Sequence, residues 1–202
     1  MDLSMQHTDL LLSRLFHDLI SPVTAARNGV ELVGEFGDAD IGNEAMGLIG
    51  DSVEQAVARL TFFRVAFGGA GSSVGHTLEE ANNIAKAYLA SRKVSCEFTI
   101  ASDAIKPKVG FVKTLLGTTA CAADCLPRGG TIMVTIGGEE TKILTDGAKA
   151  LANDDFAACL AGEKVELSER LVLPSTVAMN AKRFSVSLEL VEREPPMFRL
   201  KS

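Results

Sequence analysis

Two long stretches near the N-terminus carry apolar residues at helical spacing. Over residues 9–35, apolar or small side chains fall at 12, 15, 19, 22, 26, 29 and 33, in alternating steps of three and four. That stripe predicts an amphipathic helix. A second strip at 16, 20, 23 and 30 widens the face beyond what one neighbouring helix covers. Gly37-Asp38-Ala39-Asp40 breaks the pattern. It resumes from about 42 to 67 with Met46, Ile49, Val53, Ala56, Leu60, Phe63 and Phe67. Two such helices joined by a short loop form an antiparallel hairpin. A lone hairpin cannot bury faces this wide, whereas two hairpins paired into a four-helix bundle can. The pattern therefore predicts a homodimer with the bundle as its interface.

Gly68-Gly69-Ala70-Gly71-Ser72-Ser73-Val74-Gly75 is the strongest linker signature in the chain. It follows a helix rather than a strand and lacks Gly-Lys-Ser/Thr, so it reads as a linker and not a phosphate loop. It divides a helical region, 1–70, from a mixed region, 76–202. In the latter, Thr77-Leu78-Glu79-Glu80 is a capping box that opens a helix to about 91. Val94 to Ile100 alternates as a strand, and Pro107 is placed to start a helix running to about Leu126. Thr131–Ile136 and Thr141–Thr145 read as a hairpin, and Asn153 caps a short helix to about Leu160. A helix over 174–182, a strand over 184–191 and an edge strand over 197–201 complete the pattern. Helices interspersed with antiparallel strands predict an α+β chain: the helical hairpin, then an α/β two-layer sandwich.

Composition narrows the function classes. The chain has 202 residues, a net charge of −6 and a pI near 5.1. No basic run marks a nucleic-acid or anionic-membrane footprint. The apolar clusters are interrupted by charges, and the N-terminus lacks the basic region of a secretory signal, so the sequence reads as cytoplasmic. Cys96, Cys121, Cys125 and Cys159 then read as reduced, buried side chains. Cys121 and Cys125 lie one turn apart, but no His accompanies them in sequence, and no metal is expected.

The candidate chemistry lies in Phe16-His17-Asp18-Leu19-Ile20-Ser21-Pro22. On a helix, Ser13, His17, Ser21, Thr24 and Asn28 form a polar stripe beside the apolar one, flanked by Arg14 and Asp18. His17 sits in its middle, off the core face. Phosphoryl transfer to a histidine needs one ring nitrogen free and the other nitrogen's proton held by an acceptor. Asp18 can supply that carboxylate, and Ser21, one turn on, can orient a water or the phosphoryl group. Pro22 has no N–H, so the Asp18 carbonyl loses its helical partner. Such a proline costs about 3 kcal/mol in an ordinary helix. A docking partner would meet Arg14, Thr24 and Asn28 beside His17, with Arg64 joining from the second helix. His7 and His76 read as ordinary surface residues.

His17-Asp18-x-x-Ser21-Pro22 resembles the H-box of two-component histidine kinases, His-Glu/Asp-x-x-Thr/Asn/Ser-Pro. The hairpin-then-sandwich layout resembles their dimerisation and ATP-binding domains. Ser13 to Pro22, Phe62-Phe63-Arg64-Val65-Ala66-Phe67-Gly68 and Leu126-Pro127-Arg128-Gly129-Gly130 look more closely like the ChpT-type histidine phosphotransferases. That resemblance covers nearly the whole chain. It implies a phosphorelay protein that accepts a phosphoryl group on His17 from one receiver domain's aspartate, such as a hybrid kinase's, and passes it to a response regulator's. It also implies that Mg²⁺ arrives with the receiver and that the chain needs no cofactor of its own. Against the kinase motifs, the position of the metal-binding Asn is Cys121. Asp146-Gly147-Ala148-Lys149-Ala150 lacks the second glycine of the adenine loop. The sandwich thus resembles a degenerate ATPase fold. The alternatives are an ATP-dependent kinase with a divergent nucleotide site and a non-catalytic dimeric scaffold that binds receivers.

Overall fold

The computed structural model describes residues 3–36, 40–69, 75–104 and 107–201. Helices α1 (Leu3–Phe36) and α2 (Asp40–Ala66) form the antiparallel hairpin. The predicted break at 37–39 and the linker centre at 70–74 lie outside the described residues. Helix α1 starts earlier than its apolar stripe because its first turns dock elsewhere. His7 Nε2 lies 2.9 Å from Thr176 Oγ1, and Ser13 Oγ donates to Glu169 Oε1 at 2.5 Å. His7 is thus a docking residue rather than plain surface.

The hairpin seam uses small residues. Pro22 and Gly29 of α1 are buried, as are Gly42, Ala45 and Ser52 of α2. A Cβ on Gly29 would lie 2.6 Å from Ile49 Cγ1 and 3.1 Å from the Ala45 carbonyl, so only glycine allows this approach. Of the expected α2 stripe, Met46, Val53 and Leu60 face outward from the single chain, with Val57. On α1, the second strip, Phe16, Ile20, Val23 and Val30, is exposed too. The last turns of α2 behave differently. Phe62, Phe63, Val65 and Ala66 join one hydrophobic core with Leu115, Leu116, Ile132 and Phe198.

The second region contains α3 (Leu78–Leu89), β1 (Val94–Ile100), α4 (Phe111–Asp124), β2 (Gly130–Ile136), β3 (Thr141–Asp146), α5 (Asp154–Leu160), α6 (Val172–Arg183), β4 (Ser187–Arg193) and β5 (Pro196–Lys201). The capping box forms as read: Thr77 Oγ1 accepts from the Glu80 N–H at 3.1 Å, and the Thr77 N–H donates to Glu80 Oε2 at 2.8 Å. The Asn153 side chain caps α5 by accepting from the Phe156 N–H. The sheet order is β1-β2-β3-β5-β4. Alternate residues of β2, Ile132, Val134 and Ile136, are buried while Met133 and Thr135 are exposed, which is the signature of a sheet covered on one face.

Four expectations change. Strands β1 and β2 pair in parallel, with α4 as the crossover that parallel strands require. Strand β5 is internal rather than an edge: it pairs with both β3 and β4, and Phe198 and Leu200 are fully buried. Helix α4 begins at Phe111, not Pro107. Gly110 precedes it at φ +82°, and a Cβ there would lie 2.0 Å from the Phe184 ring. Phe184 itself ends α6, its N–H bonded to the Asn180 carbonyl, so β4 starts only at Ser187.

Candidate functional site

Helix α1 carries Pro22 within an unbroken helix. The Asp18 carbonyl that the proline leaves without a partner accepts a hydrogen bond from Arg59 Nη1 of α2. Arg59 Nη2 also donates to Ser91 Oγ at 3.0 Å, just past α3. This contact aligns Asp18 with Arg59 across the hairpin.

The His17 side chain is 77% exposed, whereas that of Asp18 is 10% exposed. Asp18 Oδ1 lies 3.6 Å from His17 Nδ1. Its other oxygen, Oδ2, lies 3.1 Å from Arg92 Nη2 and 3.8 Å from Arg14 Nε. Asp124, at the end of α4, completes the cluster. It receives Arg14 Nη2 on both oxygens, at 2.9 and 3.1 Å, and Arg92 Nη1 at 3.1 Å. Two arginines and two aspartates balance in charge. Burial alone would lower both guanidiniums, but in each case the surrounding negative groups outweigh it and hold the guanidinium above its usual value. For Arg14 these are Asp124 and Asp18; for Arg92 the Tyr88 phenol comes first, then Asp124 and Asp18. Removing one member of such a cluster costs more than its contacts suggest, because it strands an opposite charge.

Beneath the cluster lies an aromatic floor. The Arg92 guanidinium sits 4.8 Å from the Tyr88 ring centroid, and Tyr88 stacks on Phe62 with centroids 3.8 Å apart. Burial pushes the Tyr88 phenol well above its ordinary value.

Of the residues read from the sequence, the structure places Asp18 Oδ1 3.6 Å from His17 Nδ1. Ser21, Thr24 and Asn28 are exposed along α1, and Arg64 is exposed on α2. Arg14 is a correction. Expected on a docking face, its side chain is only 16% exposed and is committed to Asp124. Arg59, Arg92, Asp124 and Tyr88 escaped sequence reasoning. Only Arg59 left a signal: a carbonyl freed by Pro22 needs a donor from the facing helix.

Helix α4 is buried at every position from Phe111 to Ala123. Cys121 is fully enclosed, and burial pushes its thiol well above the usual range. A Cβ on Gly117 would lie 2.7 Å from Val177 of α6, which packs directly on that side. Among the described residues no cluster of three or more His, Cys, Asp or Glu side chains could hold a metal ion. No helix among them is long and apolar enough to cross a membrane.

A family described as "Histidine phosphotransferase C-terminal domain" matches residues 78–195. The Protein phosphotransferase ChpT of Brucella abortus (strain 2308) is 42% identical over 133 residues, which are 65% of this chain and 61% of that protein. The chain thus spans 61% of the length of that curated relative. The structure of a bacterial phosphotransferase, solved at 1.7 Å, superposes with a TM-score of 0.80 at 27% identity, covering 98% of this chain and 96% of that one. The cytoplasmic segment of the histidine kinase QseC matches more loosely, with a TM-score of 0.43 and 14% identity over 73% of this chain and 93% of that one. With more than half its length matched by the family model, and with a fold shared with the solved phosphotransferase over 98% of its length, this chain belongs to the ChpT-type histidine phosphotransferase family.

Proposed function

We propose that the protein is a phosphorelay histidine phosphotransferase in which His17 takes a phosphoryl group from one receiver-domain aspartate and gives it to another. The observation that carries this reading is the exposed His17 imidazole with a held carboxylate at its Nδ1 side. A proton on Nδ1, facing Asp18, leaves the Nε2 lone pair outward. In the forward step the Nε2–P bond forms as the P–O bond of the aspartyl phosphate breaks, and the receiver's carboxylate leaves. The reverse step regenerates neutral imidazole. There is little other covalent chemistry to supply, so catalysis is positioning and charge neutralisation. The receiver brings the Mg²⁺ that neutralises the phosphoryl oxygens.

The full burial of α4 and the enclosed Cys121 support a chain that does not draw its phosphoryl group from ATP. The outward apolar rows on both helices support a homodimer through the hairpins. Ser21, Thr24 and Asn28 extend from His17 as the docking strip, with Arg64 one turn beyond Leu60.

The test has two arms. Phosphorylated receiver should label wild type and leave His17→Ala unlabelled, a loss of more than about a thousandfold. Labelled ATP alone should give no label. Label from ATP alone would establish the kinase reading instead. Equal label on His17→Ala would remove His17 from the site, and no label from any receiver would leave the scaffold.

A further inference from the structure

We infer that Arg92 is a positioning residue for His17, and that the second region contributes to the phosphoacceptor site through it. The inference rests on the reading of His17 as phosphoacceptor. Adjacent positions of a helix point about 100° apart, so His17 and Asp18 do not face each other by default. Here Asp18 points inward and His17 outward, yet Asp18 Oδ1 reaches within 3.6 Å of His17 Nδ1. What turns that oxygen outward is the capture of the other one: Arg92 Nη2 holds Oδ2 at 3.1 Å.

Arg92 is itself fixed on two sides. Its Nη1 donates to Asp124 Oδ1 at 3.1 Å, and its guanidinium lies over Tyr88. The preceding residue, Ser91, accepts from Arg59, the same arginine that occupies the Asp18 carbonyl. The short segment from Tyr88 to Arg92 therefore fixes both the side chain and the backbone oxygen of Asp18. Arg59, Ser91 and Arg92 all lie outside α1. At 3.6 Å this carboxylate is a charged neighbour of Nδ1 rather than a hydrogen-bond acceptor, and its negative charge on that side favours the tautomer with the proton on Nδ1 and Nε2 free. Arg14 approaches the same oxygen at 3.8 Å, too far to hold it alone.

The experiment compares wild type with Arg92→Ala, Arg92→Lys and Asp124→Asn in the full chain. Long-range proton–nitrogen NMR of ¹⁵N-labelled protein reads the His17 tautomer, with His17→Asn identifying its resonances. The wild type should show Nδ1–H in excess, Arg92→Ala a shift towards Nε2–H, and Arg92→Lys and Asp124→Asn smaller shifts. A lysine reaches one carboxylate but cannot bridge two. With phosphorylated receiver, kcat should fall roughly 10- to 100-fold in Arg92→Ala with KM unchanged. Circular dichroism checks the fold; if Arg92→Ala fails it, Arg92→Lys and Asp124→Asn decide on the same readouts. An unchanged tautomer across folded variants overturns the inference, as does a rise in KM alone, which marks a docking role. If wild type takes no phosphoryl group from any receiver, the proposed function fails while the tautomer arm still decides the role of Arg92.

Discussion

Helices α2 and α4 invert the usual relation between polarity and place. Helix α4 contains Lys113, Thr114, Thr118 and Thr119, yet all are buried. Each threonine hydroxyl donates to the carbonyl four residues back, and Lys113 Nζ donates to the Gly68 carbonyl at 2.5 Å. Helix α2 exposes Met46, Val53, Val57 and Leu60. A polar side chain can be interior when its hydrogen bonds close locally. A row of apolar side chains left outside has no such local remedy and needs another surface. Helix α4 is covered within the chain, whereas the apolar row of α2 is left uncovered by the single chain.

The comparison breaks most visibly at the centre of α4. Leu116→Ala should lower stability by about 2–5 kcal/mol in denaturant melts, because its neighbours cannot collapse into the space. Leu60→Asp should change the stability of the single chain far less, yet raise the dimer dissociation constant roughly 30-fold or more by sedimentation equilibrium. Equal losses of stability from both would mean that α2 is finished within the chain after all.

Glycines sharpen the contrast within the hairpin. Gly29→Ala should cost about 1–2 kcal/mol, since the Ala45 carbonyl is backbone and cannot move aside. Gly47→Ala meets nothing within 4 Å and should stabilise the helix by about 0.5–1 kcal/mol. Thermal melts of the two variants, run side by side, separate seam from outer face.

The smallest effect is at the N-terminal turns. Burial holds the His7 imidazole below its ordinary 6.5. Between the lowered folded value and 6.5 the unfolded chain binds more protons, so stability falls as pH falls through this window. Wild type should therefore lose more stability than His7→Gln on going from about pH 7.5 to about pH 5.5, with the two curves parallel above neutrality.

Local patterns were legible because their causes are local. The spacing around His17, the capping box at Thr77 and the alternation of β1 and β2 each depend on residues a few positions apart. The inner place of β5 was not, because a six-residue strand carries the same alternation at an edge or in the middle. The two apolar strips of α1 were both visible, but sequence could not assign which faced α2. The support of Asp18 was least visible of all: Arg59 on α2, Arg92 in the turn after α3 and Asp124 at the end of α4 lie far from Asp18 along the chain and share no spacing with it. Arg14 was visible and misplaced, since its partner Asp124 is brought to it only by the fold.

The last two turns of α2 carry a consequence for how such proteins can be recombined. Phe62, Phe63, Val65 and Ala66 are spoken for by the sheet's own interior, and Phe62 is the platform on which Tyr88 lies. A chimera that exchanges hairpins between relatives at the glycine-rich junction would transplant part of the recipient's interior as well. The natural seam for exchange lies inside α2, ahead of Arg59, so that the arginine and the aromatic floor travel with the sheet they serve.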